Sequence, residues 1–136
     1  MKTPMNTNCF EFYNANPKNK KTTDCVIRAI CTALDQSYDQ TVVDLAAMQI
    51  NTGYDMSDVK CFGKYLESKG WTKHKQPRKN DNTKYTGREF VKIFNGICVA
   101  NIGGNHTVCI KEGKVYDIWD STDGCIGNYW TKEIRR

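Results

Sequence analysis

The chain has 136 residues, a formal net charge of +5, 39% hydrophobic residues and 26% charged ones. That is ordinary globular composition, with enough length to bury one core. No apolar run approaches bilayer thickness, and the polar stretch from Met1 to Asn8 has no apolar segment behind it, so no secretory signal is expected and the cytoplasm is the expected location. One domain over residues 1–136 is expected, with residues 1–13 as a peripheral N-terminal segment.

Residues 1–22 are polar, broken by Phe10, Phe12 and Tyr13, which are expected to tuck onto the body. Pro17 pushes Asn16 out of helical geometry and marks a loop. A first helix begins near Thr23 or Asp24, either of which can cap it. Its buried stripe is Val26, Ile27, Ile30, Ala33 and Leu34. Ser37-x-x-Gln40 opens a second helix that runs to Ile50 and stops before Gly53. A third starts near Ser57, buries Val59, Phe62 and Leu66, and ends before Gly70. Trp71 to Gln76 reads as a short strand and 77–84 as a loop. Thr86-x-x-Glu89 is a capping box, with Tyr85 stapled onto Phe90.

From Gly96 the period becomes extended. Ile97 to Ala100 is a short apolar strand, Gly103-Gly104 a tight turn, and His106–Lys111 with Lys114–Trp119 a hairpin around Glu112-Gly113. A last strand lies around Tyr129-Trp130. Helices first and strands last predict an α+β fold with N-terminal helices packed on a C-terminal antiparallel sheet.

Seven cysteines are many for this length, yet Cys9, Cys25, Cys31, Cys61, Cys98, Cys109 and Cys125 form no C-x-x-C pair, so the usual zinc knuckle is absent and no metal is expected. Those in apolar runs, Cys98 and Cys109, read as small buried hydrophobes. The positive charge is concentrated between Lys69 and Lys92. A solvated face is the plain reading; a nucleic-acid surface using Trp71 and Tyr85 is the sharper one and is disfavoured, because no recognised binding motif accompanies it.

One cysteine stands where chemistry can use it. A nucleophilic thiol needs a lowered pKa, and a helix's first turn supplies unpaired N–H groups and a favourable dipole. Cys25 lies there; Cys31 and Cys61 fall inside helices. The thiolate also needs an imidazolium beside it. His74 sits between Lys73 and Lys75 and looks exposed, whereas His106 opens a core strand. An orienting carboxylate completes such a site. Asp117 shares a face with His106, displaced diagonally, and Asp120 lies at the strand end; Asp120 is preferred because strand-end residues turn toward the rim. The oxyanion needs two donors: the Cys25 N–H, and an amide from Asn14, Asn16 or Asn19, of which Asn19 is preferred.

Cys25 on an N-terminal helix, then His106, then Asp120-Ser121, resembles the order of the papain-like superfamily of cysteine peptidases. The resemblance implies a Cys25–His106–Asp120 triad, with Asn19 where the family carries its oxyanion-hole glutamine. The segments Asp24 to Ile30, Asn105 to Val108 and Val115 to Ser121 also look like small uncharacterised phage and prophage proteins. At this length the chain stands nearest the minimal versions, such as bacteriocin-leader peptidases, bacterial effector proteases and transglutaminase-like enzymes. It implies acyl transfer on a protein or peptide, a host protein among the candidates, with no cofactor and, for a phage-encoded chain, in the host cytoplasm. The alternative is a catalytically inactive protein of the same fold that binds and inhibits a host factor.

Overall fold

The computed structural model describes residues 3–132. Its elements, in chain order, are β1 (Phe10–Phe12), α1 (Cys25–Leu34), α2 (Tyr38–Thr52), α3 (Val59–Ser68), β2 (Trp71–His74), α4 (Gly87–Ile93), β3 (Cys98–Ile102), β4 (His106–Lys111), β5 (Lys114–Asp117) and β6 (Ile126–Lys132). The described residues form an α+β fold of four helices and one six-stranded sheet in the order β1-β5-β4-β3-β6-β2. The sheet is mixed, not antiparallel as the sequence predicts, because β1 lies parallel to β5 with Phe10 opposite Val115. Nor are residues 10–12 peripheral: Phe10 is fully buried. Three residues are too few to display a period of two, so the segment carries no strand signal of its own.

Both faces of the sheet are covered. On one, Val26, Ile30 and Ala33 of α1, Leu45 of α2 and Phe62 and Leu66 of α3 pack with Val99, Cys109 and Trp130. On the other, Phe90 and Val91 of α4 pack with Cys98, Ala100, Val108, Ile110 and Ile126. A strand buried on both faces reads as a continuous apolar run; hence Cys98 and Cys109 are fully buried free thiols on opposite faces. Ile30, Leu45 and Leu66 lose all exposure, and each such burial stabilises by about 1.5–3 kcal/mol.

Local chemistry sets the helix ends. Ser37 Oγ accepts the Gln40 N–H at 3.0 Å, and α2 stops at Gly53 with φ +79°. The cap of α3 is Asp58 rather than Ser57, and Val59 stays exposed because it precedes the buried stripe of Cys61, Phe62, Tyr65 and Leu66. Both arms of the Thr86–Glu89 capping box form, and the Tyr85 ring meets Phe90 edge-on with centroids 6.2 Å apart. Thr86→Ala is expected to lower stability by about 1 kcal/mol, read as a reduced urea midpoint.

Two turns fix where the site lies. Glu112 and Gly113 both have positive φ, +55° and +72°, as a tight two-residue hairpin requires, and they pin Lys111 opposite Lys114. Gly103 and Gly104, also at positive φ, close the β3–β4 turn and put His106 opposite Ile102 at the sheet's rim. Because α1 packs on β4, its first turn arrives at that same rim.

Candidate active site

Asp24 occupies the cap position of α1 but makes no side-chain cap bond, contrary to the expected cap from Thr23 or Asp24. Its carboxylate turns aside: Oδ1 accepts from Arg28 Nε at 2.8 Å, and Oδ2 accepts from the Tyr38 hydroxyl at 2.7 Å and from Asn16 Nδ2 at 3.2 Å. The first N–H groups of a helix have no partner within it. Left without a side-chain acceptor, those of Cys25, Val26 and Ile27 keep their attraction for negative charge.

Cys25 is half-buried at this helix start and meets the His106 ring. Burial works against its ionisation, but the His106 contact, the Thr107 backbone N–H and the charges of His106 and Arg28 outweigh it and hold the thiol below its usual range. Burial alone has the opposite result elsewhere, pushing up the thiols of Cys61, Cys98 and Cys109. Burial also disfavours the His106 cation; hydrogen bonds to Asp117 and Cys25, with their charges, overcome it and raise the ring to about 9. The geometry and both shifts favour a thiolate–imidazolium pair.

The carboxylate on His106 is Asp117, not the preferred Asp120. Asp117 Oδ2 bonds His106 Nε2, which leaves Nδ1 as the ring nitrogen for the thiol. Asp117 sits in the last position of β5, diagonal to His106, and is 2% exposed. Asp120 lies past the strand, where its Oδ1 accepts the Thr122 N–H at 2.9 Å in a side-chain-closed turn, a common use of Asp. The position across from His106 goes to Trp119, whose ring lies 4.8 Å from the imidazole at a 36° tilt. Ser121, beside Asp120, is buried with no partner for its hydroxyl among the described residues.

Asn14 and Asn16 spend their amides on the loop before α1: Asn14 Nδ2 donates to the Lys20 carbonyl, and Asn16 Oδ1 accepts the Lys18 N–H. Asn19 is exposed at φ +59°, and no bond to its side chain is found among the described residues. His74, which the sequence suggests is exposed, stacks on Tyr129 and bonds Thr131 Oγ1 at 2.6 Å. Trp71 is buried and cannot stack on bases; Lys79 pairs with Glu89 and Arg88 with Asp123. Among the described residues, no group of three His, Cys, Asp or Glu is arranged to hold a metal, and no helix is long and apolar enough to cross a membrane.

Two cavities lie near this rim. One, about 540 Å³, is lined by Phe62, Val99, Asn105, Thr107 and Trp130 among others, and neither Cys25 nor His106 lines it. The second, about 460 Å³, opens beside the imidazole between Trp119, Asp120 and Gly103.

The residues that sequence reasoning missed are Arg28 and Tyr38; Trp119 opposite His106 is what a two-residue Glu112-Gly113 turn predicts. Arg28 carried a signal: a cation inside the apolar run Val26 to Ile30, at i+4 from Asp24 and i+3 from Cys25, faces inward with both. Tyr38 carried none, since only the packing of α2 against α1 brings it close. No protein-family model matches this chain, and no curated protein or solved structure matches it either.

Proposed function

We propose that this chain is a papain-like cysteine hydrolase that transfers an acyl group from a protein or peptide amide, with Cys25 as nucleophile, His106 as acid and base, and Asp117 as the residue that orients the imidazole. The observation that carries the reading is the meeting of Cys25 and His106 at an uncapped helix start, with a buried carboxylate on the ring's far nitrogen.

The thiolate attacks the carbonyl carbon; a C–S bond forms and the carbonyl electron pair moves to oxygen. The Cys25 backbone N–H at the helix start, with the uncommitted Asn19 amide as second donor, receives that oxyanion. Collapse breaks the C–N bond as His106 passes its proton to the amine. Water then attacks the thioester and gives a proton to His106, and the C–S bond breaks, releasing the acid and restoring the Cys25 thiolate. Because His106 must reach the leaving nitrogen, the cavity between its ring and Trp119 suits the amine side. The substrate class is a protein or peptide; for a phage-encoded chain, a host protein is among the candidates and the host cytoplasm is the working compartment.

The test is iodoacetamide labelling of Cys25 across pH. Rapid labelling near neutral pH is expected, with a first step below the usual thiol value of about 8.5 and a second near 9 as His106 loses its proton. His106→Ala should return labelling to the ordinary thiol range. Wild-type labelling as slow as that of Cys125 removes the enzyme reading, and a Cys25→Ala protein with full biological effect leaves a binding protein instead.

A further inference from the structure

Behind the triad, charges alternate in a buried chain. Arg28 lies one turn after Cys25 on α1, with its side chain 6% exposed between two carboxylates. Its Nε donates to Asp24 Oδ1 at 2.8 Å and its Nη1 to Asp117 Oδ1 at 2.6 Å. Asp117 Oδ1 also accepts the Ile118 N–H at 2.7 Å, so one oxygen of Asp117 is fully engaged and the other is left for His106. Asp24 is itself anchored from α2 by Tyr38 and from the preceding loop by Asn16.

A buried ion triad is a poor stabiliser, since the desolvation of its charges offsets their attraction. Arg28 nevertheless holds a place in the apolar stripe of α1, among Val26, Ala29 and Ile30, where an apolar residue would pack. What an apolar residue could not do is grip two carboxylates in one plane, which the guanidinium fork does and a lysine ammonium does not. A carboxylate bonded through one oxygen alone can rotate; gripped through Oδ1 by Arg28 and the Ile118 N–H, Asp117 presents Oδ2 in one direction.

We propose that Arg28 is the positioning residue of this site: it locks Asp117 so that its second oxygen faces His106, and it places a fixed cation behind the Cys25 thiolate. This rests on the hydrolase reading. The groups that face the thiol–imidazole pair or its supports are Asp24 and Arg28 from α1, Tyr38 from α2, His106 from β4 and Asp117 from β5. Removing the Arg28 charge withdraws support from the thiolate and frees Asp117 to turn from the ring. The Cys25 titration therefore moves to higher pH, and the ring's bond to Asp117 weakens.

The experiment compares wild type, Arg28→Gln and Arg28→Lys by the pH profile of Cys25 alkylation and by the low-field ring N–H proton of His106 in NMR. Arg28→Gln is expected to raise the first alkylation step by about one pH unit and to weaken the ring proton. Arg28→Lys keeps the charge and loses the fork, so its first step moves less while the ring proton, which depends on Asp117 being aimed, weakens or disappears. A folded Arg28→Gln protein with an unmoved first step overturns the proposal. If that variant does not fold, Arg28→Lys decides alone, and an unchanged ring proton with wild-type steps overturns it. Failure of the hydrolase reading is separate, because it appears in the wild type as a Cys25 that labels like an ordinary thiol.

Discussion

On the proposed hydrolase reading, Asp117→Asn is expected to lower turnover by about a hundredfold to ten-thousandfold, whereas Asp120→Asn is expected to leave it within about twofold. The amide keeps the size of the carboxylate but has no charge to offset the imidazolium, and one of its ends now donates. That end must face either Arg28 or the ring, both of which donate to Asp117 in the native site. The ring is then held less firmly, and the proton it shares with Cys25 returns to sulfur. Before a substrate is known, the second-order rate of iodoacetamide with Cys25 near neutral pH reads the same change as a smaller thiolate fraction. Asp120 is exposed and its bonded oxygen serves the Thr122 N–H, so neutralising it leaves the ring untouched. Equal losses from the two substitutions would show that His106 does not depend on Asp117.

Asp24→Ala is the substitution expected to unfold the protein most readily, with a loss of about 3–5 kcal/mol in the urea-derived stability. It removes the acceptor of Arg28 Nε, the Tyr38 hydroxyl and Asn16 Nδ2 at once. Arg28 keeps only Asp117, and two further polar groups lose their partner. The Asp24 side chain is 6% exposed, so water cannot readily replace what is lost. The pH dependence follows from the same bonds. Burial opposes ionisation of Asp24, but the Arg28 and Tyr38 bonds and the Arg28 charge prevail and hold its carboxyl below the usual range. A carboxyl lowered in the folded state contributes its full stability above its unfolded value, about 3.9, and loses it as pH falls through the folded value. The gap between wild type and Asp24→Ala should therefore be widest near neutrality and close in acid. A gap that widens in acid would mean that the ionised carboxylate is not what Arg28 requires.

The fold and the site were legible to different depths. Ser37, Gly53 and the Thr86–Glu89 box announced helix ends because capping is settled within one turn of chain. The runs around Val99 and Cys109 announced core strands because burial on both faces forces apolar residues at successive positions. β1 stayed hidden: its three residues become a strand only by borrowing the edge of β5. Asp24 was legible as a helix-start residue but not as a buried anchor for Arg28, since its partners Tyr38 and Asn16 come from the next helix and the preceding loop.

The sequence by itself determined that Cys25 opens a helix, that His106 opens a core strand after a tight turn, and that helices precede most of the strands. Each of these depends on neighbours a few positions away, through capping, turn chemistry and hydrophobic period. Only the tertiary structure decided which acid meets the imidazole. The two-residue Glu112-Gly113 turn sets the register that places Trp119 across from His106 and Asp117 diagonal to it on the same face. The choice between Asp117 and Asp120 is made by side-chain direction at a strand end, and by the grip of Arg28 from another element. Local pattern cannot encode an angle that two separately formed elements fix only when they pack.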